Sequence, residues 1–275
     1  MALSYKRIIG LITDFGARGQ HYVSSMKGVI LNINPYVNIV DVSHNITPFS
    51  IIEASFVIKT THQFFPEGTV FAVVVDPGVG SSREILAIKT VRNYYFIGPN
   101  NGIFLGAFEL NEFMECIEIK NEDYFIKPVS NTFHGRDIMA PIAANITKNI
   151  PLCDFGVPFN PKNHVSSPII FNQISDNEFR CTVQYIDEFG NIVTNFNASS
   201  LKLNDGDILK IKIQDLELKG LFARIFQSTP KNSLQFLIGS SGFLELSKNR
   251  GNAALDIGVN VGDIINVVLP EVIKK

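Results

Sequence analysis

The chain lacks any apolar run approaching the ~20 residues that cross a bilayer as a helix. Its first ten residues carry charge and no long apolar stretch, so no secretory signal is expected. Net charge is nearly absent: 24 Lys and Arg against 26 Asp and Glu leave −2 at neutral pH, with the basic residues scattered. That balance excludes the basic footprint of a nucleic-acid binder, and the Lys274-Lys275 pair is too short for a membrane patch. Cysteines are few. Cys116, Cys153 and Cys181 lie far apart, in an odd number and without metal-ligand spacing, as expected of reduced thiols in a cytoplasmic protein. There is no internal repeat and no low-complexity segment.

What is present is enough for a large core. With 275 residues, 45% hydrophobic and 18% charged, the chain can hold one large or two medium domains. Its first half alternates strand and helix. Arg7–Thr13 reads as a strand ending in Asp14-Phe15-Gly16; Tyr22, Met26, Val29, Ile30 and Ile33 then recur at helical spacing until Asn34-Pro35. A strand at 37–42, a buried helix at 51–64 and a strand at 69–75 follow. This β-α-β-α-β order predicts a mostly parallel sheet covered on both faces. Further strands are expected near 85–89 and 94–98, a turn at Gly98-Pro99-Asn100-Asn101-Gly102, and a short helix after Asp137.

Periodicity breaks over residues 151–168, a stretch that holds four prolines. Beyond them come short segments at 179–186, 192–196, 207–213, 215–218, 234–238, 243–247 and 264–269, separated by turns such as Asn204-Asp205-Gly206. That spacing predicts a small antiparallel β-barrel or sandwich. The expected organisation is an α/β domain over 1–165 and an all-β domain over 166–275.

One junction carries more chemistry than the rest. The apolar run Val70 to Val75 ends abruptly in Asp76-Pro77-Gly78-Val79-Gly80, with Arg83 seven residues after the acid. Open α/β sheets bind ligands at the carboxyl ends of their strands. An Asp and an Arg there can pair, the cation holding the carboxylate ionised, or can hold an anion between them. Thr132-Phe133-His134-Gly135-Arg136-Asp137 offers His134 as a third member. Taken singly, each has a plainer role: Asp76 as a turn cap, Arg83 as a solvated loop cation, His134 as a local hydrogen-bond partner.

These motifs fall in order with Thr13-Asp14-Phe15-Gly16, Met26-Lys27-Gly28, Phe65-Pro66-Glu67-Gly68-Thr69-Val70, Pro99-Asn100-Asn101-Gly102 and Asp187-Glu188-Phe189-Gly190-Asn191. Together they resemble the S-adenosyl-L-methionine (SAM) hydroxide adenosyltransferase family, the adenosine-forming SAM hydrolases, related to SAM-dependent fluorinases and chlorinases. The resemblance spans nearly the whole chain and implies an α/β N-terminal domain followed by a β-barrel. It implies cleavage of SAM to adenosine and methionine by water-derived hydroxide at ribose C5′, with SAM as substrate and no cofactor or metal. It also implies a homotrimer with sites at subunit interfaces.

The resemblance assigns residues. Asp76 orients the water or takes its proton, Arg83 stabilises the developing hydroxide, and His134 completes the water site. Asp14 accepts the ribose hydroxyls and Phe49 lies beside the nucleoside. Asp187 holds the methionine ammonium, Phe189 stacks on adenine and Asn191 makes a polar contact nearby. Ser240 and Ser241 contact the methionine carboxylate, while Asn252 and Ala253 read the adenine edge. Without a ligand, Asp187 to Asn191 is also an ordinary hairpin turn, and Gly239-Ser240-Ser241-Gly242 an ordinary Gly/Ser turn. His44 is expected near the site, and His21, His62 and His164 to be structural or solvated.

Two substitutions separate hydroxide from halide chemistry in such a family. Halogenating relatives carry an aromatic at the place of Asp76, and fluorinases a hydroxyl residue at the place of Gly135. A carboxylate repels a halide and glycine offers no donor, so hydrolysis is favoured over a SAM-dependent halogenase. A non-catalytic SAM- or adenosine-binding module would keep Asp14 and Asp187 without requiring Asp76, Arg83 and His134 together. A metal-dependent phosphohydrolase would need clustered His and carboxylate ligands, and no such spacing occurs.

Overall fold

Thr13, Val75 and their neighbours owe their places to strands that are apolar on both faces. In the computed structural model, which describes residues 7–213 and 216–271, β3 (Val70–Val74) is buried throughout. Lys274-Lys275 and the first residue of the 215–218 segment lie outside the described residues. Alternation along β3 divides the core: Val70, Ala72 and Val74 face one layer, Phe71, Val73 and Val75 the other. One layer packs under α1 (Gln20–Ile33), whose Val23, Met26 and Ile30 form the expected buried stripe. The opposite layer packs under α2 (Ile51–Thr61), which Ser50 caps by accepting the Glu53 N–H. Each fully buried Phe or Ile contributes about 1.5–3 kcal/mol relative to exposure.

The N-terminal sheet also contains β1 (Ile8–Thr13), β2 (Asn38–Ser43), β4 (Ile85–Thr90), β5 (Tyr95–Pro99), β6 (Phe113–Ile119) and, after α3 (Ile103–Ala107) and α4 (Ala140–Thr147), β7 (Gly156–Pro158). Its order is β2-β1-β3-β5-β4-β6-β7. The first four strands run parallel, and β4, β6 and β7 complete the sheet antiparallel. The carboxyl ends of the parallel strands therefore share one edge, where Asp14, His44 and Asp76 emerge. The helix expected after Asp137 in fact begins before it. Gly135–Met139 forms a π-helical turn that runs into α4, and Asp137 sits buried inside that turn.

The chain divides into two compact units between Ser167 and Pro168. In the second, β8 (Phe171–Gln173) precedes β9 (Glu178–Ile186), β10 (Ile192–Asn197), β11 (Ile208–Ile213), β12 (Leu216–Phe222), β13 (Leu234–Ile238) and β14 (Phe243–Lys248). The short helix α5 (Ala253–Ile257) and β15 (Ile264–Val268) follow. The order β10-β14-β13-β12-β11-β15-β9-β8, with β9 also pairing β10, closes a seven-stranded barrel and leaves β8 appended. All pairings are antiparallel except β12 with β13. Cys181, Val183, Leu209, Phe236 and Val267 fill the interior. Among the described residues, no helix is long and apolar enough to cross a membrane.

Candidate active site

The end of β3 positions Asp76. Asn101 donates through Nδ2 to the Val75 carbonyl at 2.9 Å, and the chain then turns through Gly78 and Gly80. Arg83 folds back over this turn. Its Nε donates to Asp76 Oδ1 at 2.9 Å and its Nη2 to Oδ2, a two-point grip between nearly buried side chains. The same Nη2 donates to His134 Nδ1 at 2.9 Å. A guanidinium can only donate, so Nδ1 accepts and the neutral ring carries its proton on Nε2. Burial, then the Arg83 charge, hold His134 below its ordinary histidine value, against the opposing pull of Asp76 and Asp137. The imidazole is thus neutral at physiological pH.

The two loops that bring this trio together touch backbone to backbone. A Cβ at Gly80, where φ is +80°, would stand 2.3 Å from the Asn131 carbonyl oxygen, so only glycine permits the approach. Behind His134, the fully buried Asp137 carboxylate accepts the Ser130 N–H at 2.8 Å and is gripped by Arg136 at 2.6 and 2.9 Å. Arg136 in turn lies over the Phe133 ring, 5.2 Å from its centroid. These contacts fix the 130–134 loop.

Asp76 and His134 line a cavity of ≈ 420 Å³ together with Asp14, Phe15, Tyr22 and Phe49. Asp14 follows the last residue of β1, and its Oδ2 accepts the Phe49 N–H at 2.9 Å. Burial raises the Asp14 carboxyl above its ordinary value; the backbone N–H groups of Phe49 and Asp14 pull it down, and Asp76 pushes it up. Phe49 has φ +68°, rare for an aromatic residue, and its ring is 67% exposed rather than core. Tyr22, read from spacing as a core helix position, instead borders the cavity with 42% exposure. His44 does not line it.

The C-terminal unit holds a second cavity, ≈ 620 Å³, lined by Asp187, Phe189, Asn191, Phe226, Arg250 and Asn252 among others. Asp187 organises the β9–β10 turn. Its Oδ1 accepts the N–H groups of Phe189 and Asn191 at 2.9 and 2.8 Å, and its Oδ2 accepts Asn191 Nδ2 at 2.8 Å. The Phe189 ring is left 77% exposed. Asn252 caps α5 by accepting the Leu255 N–H at 2.7 Å, and Ala253, the first helical residue, is fully buried. Ser240 and Ser241 occupy the β13–β14 turn and are not among the lining residues of either cavity. Phe226, Lys248 and Arg250 border the second cavity without any local motif to announce them.

One acid here was not anticipated. Glu245, on β14, packs its carboxyl against Gly239, where a Cβ would meet Oε1 at 1.7 Å. Burial, and secondarily the Asp187 charge, push it up to about 7. Among the described residues, no three His, Cys, Asp or Glu side chains gather in a way that could hold a metal ion.

A parallel-stranded α/β unit with acids at its strand ends, followed by a closed barrel, defines the class. Comparison with known proteins narrows it. The N-terminal domain of the SAM hydroxide adenosyltransferases matches residues 9–156, and their C-terminal domain matches residues 181–266. A Methanocaldococcus jannaschii protein named (R)-S-adenosyl-L-methionine hydrolase is 36% identical, covering 95% of this chain and 95% of its own. A fluorinase from an Actinoplanes species is 27% identical over 94% of this chain and 97% of its own. Among solved structures, an uncharacterized conserved protein from Thermotoga maritima superimposes with a TM-score of 0.87 at 34% identity, covering 94% of this chain and 99% of that one. The chain belongs to the SAM hydroxide adenosyltransferase family, which is related to the fluorinases.

Proposed function

We propose that the chain hydrolyses SAM to adenosine and L-methionine by attack of water-derived hydroxide on ribose C5′. The observation that carries this reading is the contact of Asp76, Arg83 and His134 at the wall of a cavity that also contains Asp14 and Phe49. In the step, the water oxygen bonds to C5′ as the C5′–S bond breaks. Its electron pair neutralises the sulfonium, leaving methionine as a neutral thioether that needs no general acid. The difficult partner is water, whose pKa of about 15.7 leaves little hydroxide at neutral pH. Asp76 orients the water and draws on its proton, the Arg83 cation favours the hydroxide form, and the His134 Nε2–H holds the oxygen or passes its proton on. Attack of an anion on a cation removes charge, so a cavity that excludes water from both favours the step.

Within the same proposal, the Asp14 carboxylate accepts the ribose hydroxyls with Phe49 beside the nucleoside. Phe189, Asn191, Asn252 and Ala253 serve adenine; Asp187, Ser240 and Ser241 serve methionine. The exposed Phe226 ring supplies a second aromatic wall near Phe189. A homotrimer belongs to the proposal as well, and sedimentation velocity checks it. Hydrolysis is favoured over halide transfer because the Asp76 charge borders the cavity, and because a side chain at Gly135 would stand 2.8 Å from Val74 Cγ1. Incubation with SAM in ¹⁸O-water, with products separated by chromatography, tests the reading. Adenosine labelled in its 5′-hydroxyl is the expected product. Methylthioadenosine with homoserine lactone, or a halogenated nucleoside when chloride or fluoride is supplied, would overturn it.

A further inference from the structure

Beneath the Asp14 loop runs a hydrogen-bonded chain that the proposed reaction does not use. Lys27 Nζ lies 2.6 Å from Asp41 Oδ2, Asp41 Oδ1 lies 3.0 Å from His44 Nε2, and His44 Nδ1 lies 2.9 Å from Thr13 Oγ1. Hydroxyl, imidazole and carboxylate stand in the order of a nucleophilic triad. Thr13 is fully buried, however, and neither it nor His44 lines the cavity, so no substrate reaches this hydroxyl. Burial raises the Asp41 carboxyl, but Lys27 and His44 outweigh it and hold the group below its ordinary value, hence ionised.

An ionised carboxylate only accepts, so His44 donates to Asp41 from Nε2. Its Nδ1 and the Thr13 hydroxyl share the hydrogen bond between them. The Thr13 oxygen is left with lone pairs directed to the Phe15 N–H, 3.4 Å away. The His44 carbonyl meanwhile accepts the Gly16 N–H at 2.7 Å. His44 therefore holds the loop on both sides of Asp14, through its ring at residue 13 and its backbone at residue 16. Phe49, five residues further along the same segment, holds the Asp14 carboxylate itself.

We infer that Asp41, His44 and Thr13 form a positioning relay that sets where the Asp14 carboxylate meets the ribose of the substrate. The inference rests on the reading of Asp14 as the ribose contact. Thr13→Val keeps the side-chain volume and removes the hydroxyl. It is expected to raise the SAM dissociation constant, measured by calorimetry, and KM roughly tenfold, the worth of one lost hydrogen bond at a buried site. At saturation kcat should stay within about twofold, because the water-binding trio stands on other loops. Thr13→Ser should restore wild-type binding, and His44→Phe should weaken it as Thr13→Val does. In an Asp14→Ala background neither change should weaken SAM binding further, since a relay that acts through Asp14 has nothing left to position.

The outcomes separate the two ideas. If Asp14→Ala binds SAM as tightly as wild type, the ribose reading fails and the relay with it. If Asp14→Ala weakens binding while folded Thr13→Val and His44→Phe bind normally, or add their full loss to that of Asp14→Ala, the ribose reading stands and the relay is wrong. Should both buried variants fail to fold, Asp41→Ala at a half-exposed position, which removes the acceptor for the His44 ring, decides. Wild-type SAM affinity in that variant overturns the relay, and weakened affinity absent from the Asp14→Ala background sustains it.

Discussion

Replacing Glu245 by Gln should make the protein more stable at alkaline pH. Glu245 belongs to a strand whose neighbours at this level are Val193 on β10 and Leu237 on β13. Burial and the nearby Asp187 lift its carboxyl from an ordinary 4.5 to about 7. A folded-state value above the unfolded one means that the folded form prefers the protonated acid. The acid's favourable contribution is complete below about pH 4.5 and is lost as pH rises through about 7. At about 1.4 kcal/mol for each tenfold change in proton affinity, the ionised carboxylate costs at most roughly 3 kcal/mol. Partial exposure screens this to about 1–2 kcal/mol. Gln has the shape of the neutral acid and avoids the cost. Urea unfolding of wild type and Glu245→Gln should show an advantage of about that size near pH 8.5, shrinking steadily toward pH 4.5. A variant no more stable than wild type at pH 8.5, or one whose advantage is independent of pH, would refute the reasoning.

Three further outcomes follow from the site. Asp76→Ala should keep SAM affinity by calorimetry yet lose about 10²–10⁴ in turnover, the usual worth of a positioned base, and unchanged turnover would remove Asp76 from the chemistry. Gly135→Ser must displace the stiff, β-branched Val74, so we expect a loss of about 1–3 kcal/mol in urea unfolding and no halogenated product from the folded variant with fluoride. Burial depresses His62, His134 and His164 alike, so the unfolded chain takes up protons near 6.5 while the folded one resists them. Stability should therefore fall as pH drops from about 7 through the depressed values, measured in Glu245→Gln to remove the opposing carboxyl.

Where one period dominates, the fold could be read from the residues alone. The α1 stripe and the unbroken apolar run of β3 specify their elements directly, and the barrel strands are bounded by strong turns. What escaped notice was short or mixed in character. β6 interleaves Glu115 and Glu118 among its apolar residues, and α3 and α5 span five residues each, too few for a helical period to register. Of the antiparallel strands in the first sheet, β4 lies where a strand was expected, whereas β6 and the three-residue β7 stayed hidden for the same reason. Asp14 and Asp76 were legible because acids directly after apolar strands are conspicuous. The shared Arg83 nitrogen linking Asp76 to His134 was not, since contacts across 51 residues leave no local trace. Phe226 and Arg250 belong to segments without a motif, and only the folded barrel gathers them around one cavity.

The seam of the barrel also bears on how the chain is made. β15 inserts between β9 and β11, pairing with strands that precede it by some 50 to 80 residues. It is the last of the barrel strands to leave the ribosome. Until it emerges, β9 and β11 each keep an open edge of unpaired backbone groups, a template for pairing with another chain. The α/β unit has every one of its strands by Pro158 and needs nothing later to complete its sheet. Synthesis therefore delivers a finished sheet first and an unclosed barrel behind it. A ribosome stalled before Ile264 would release a chain whose first half is sound and whose second half is adhesive.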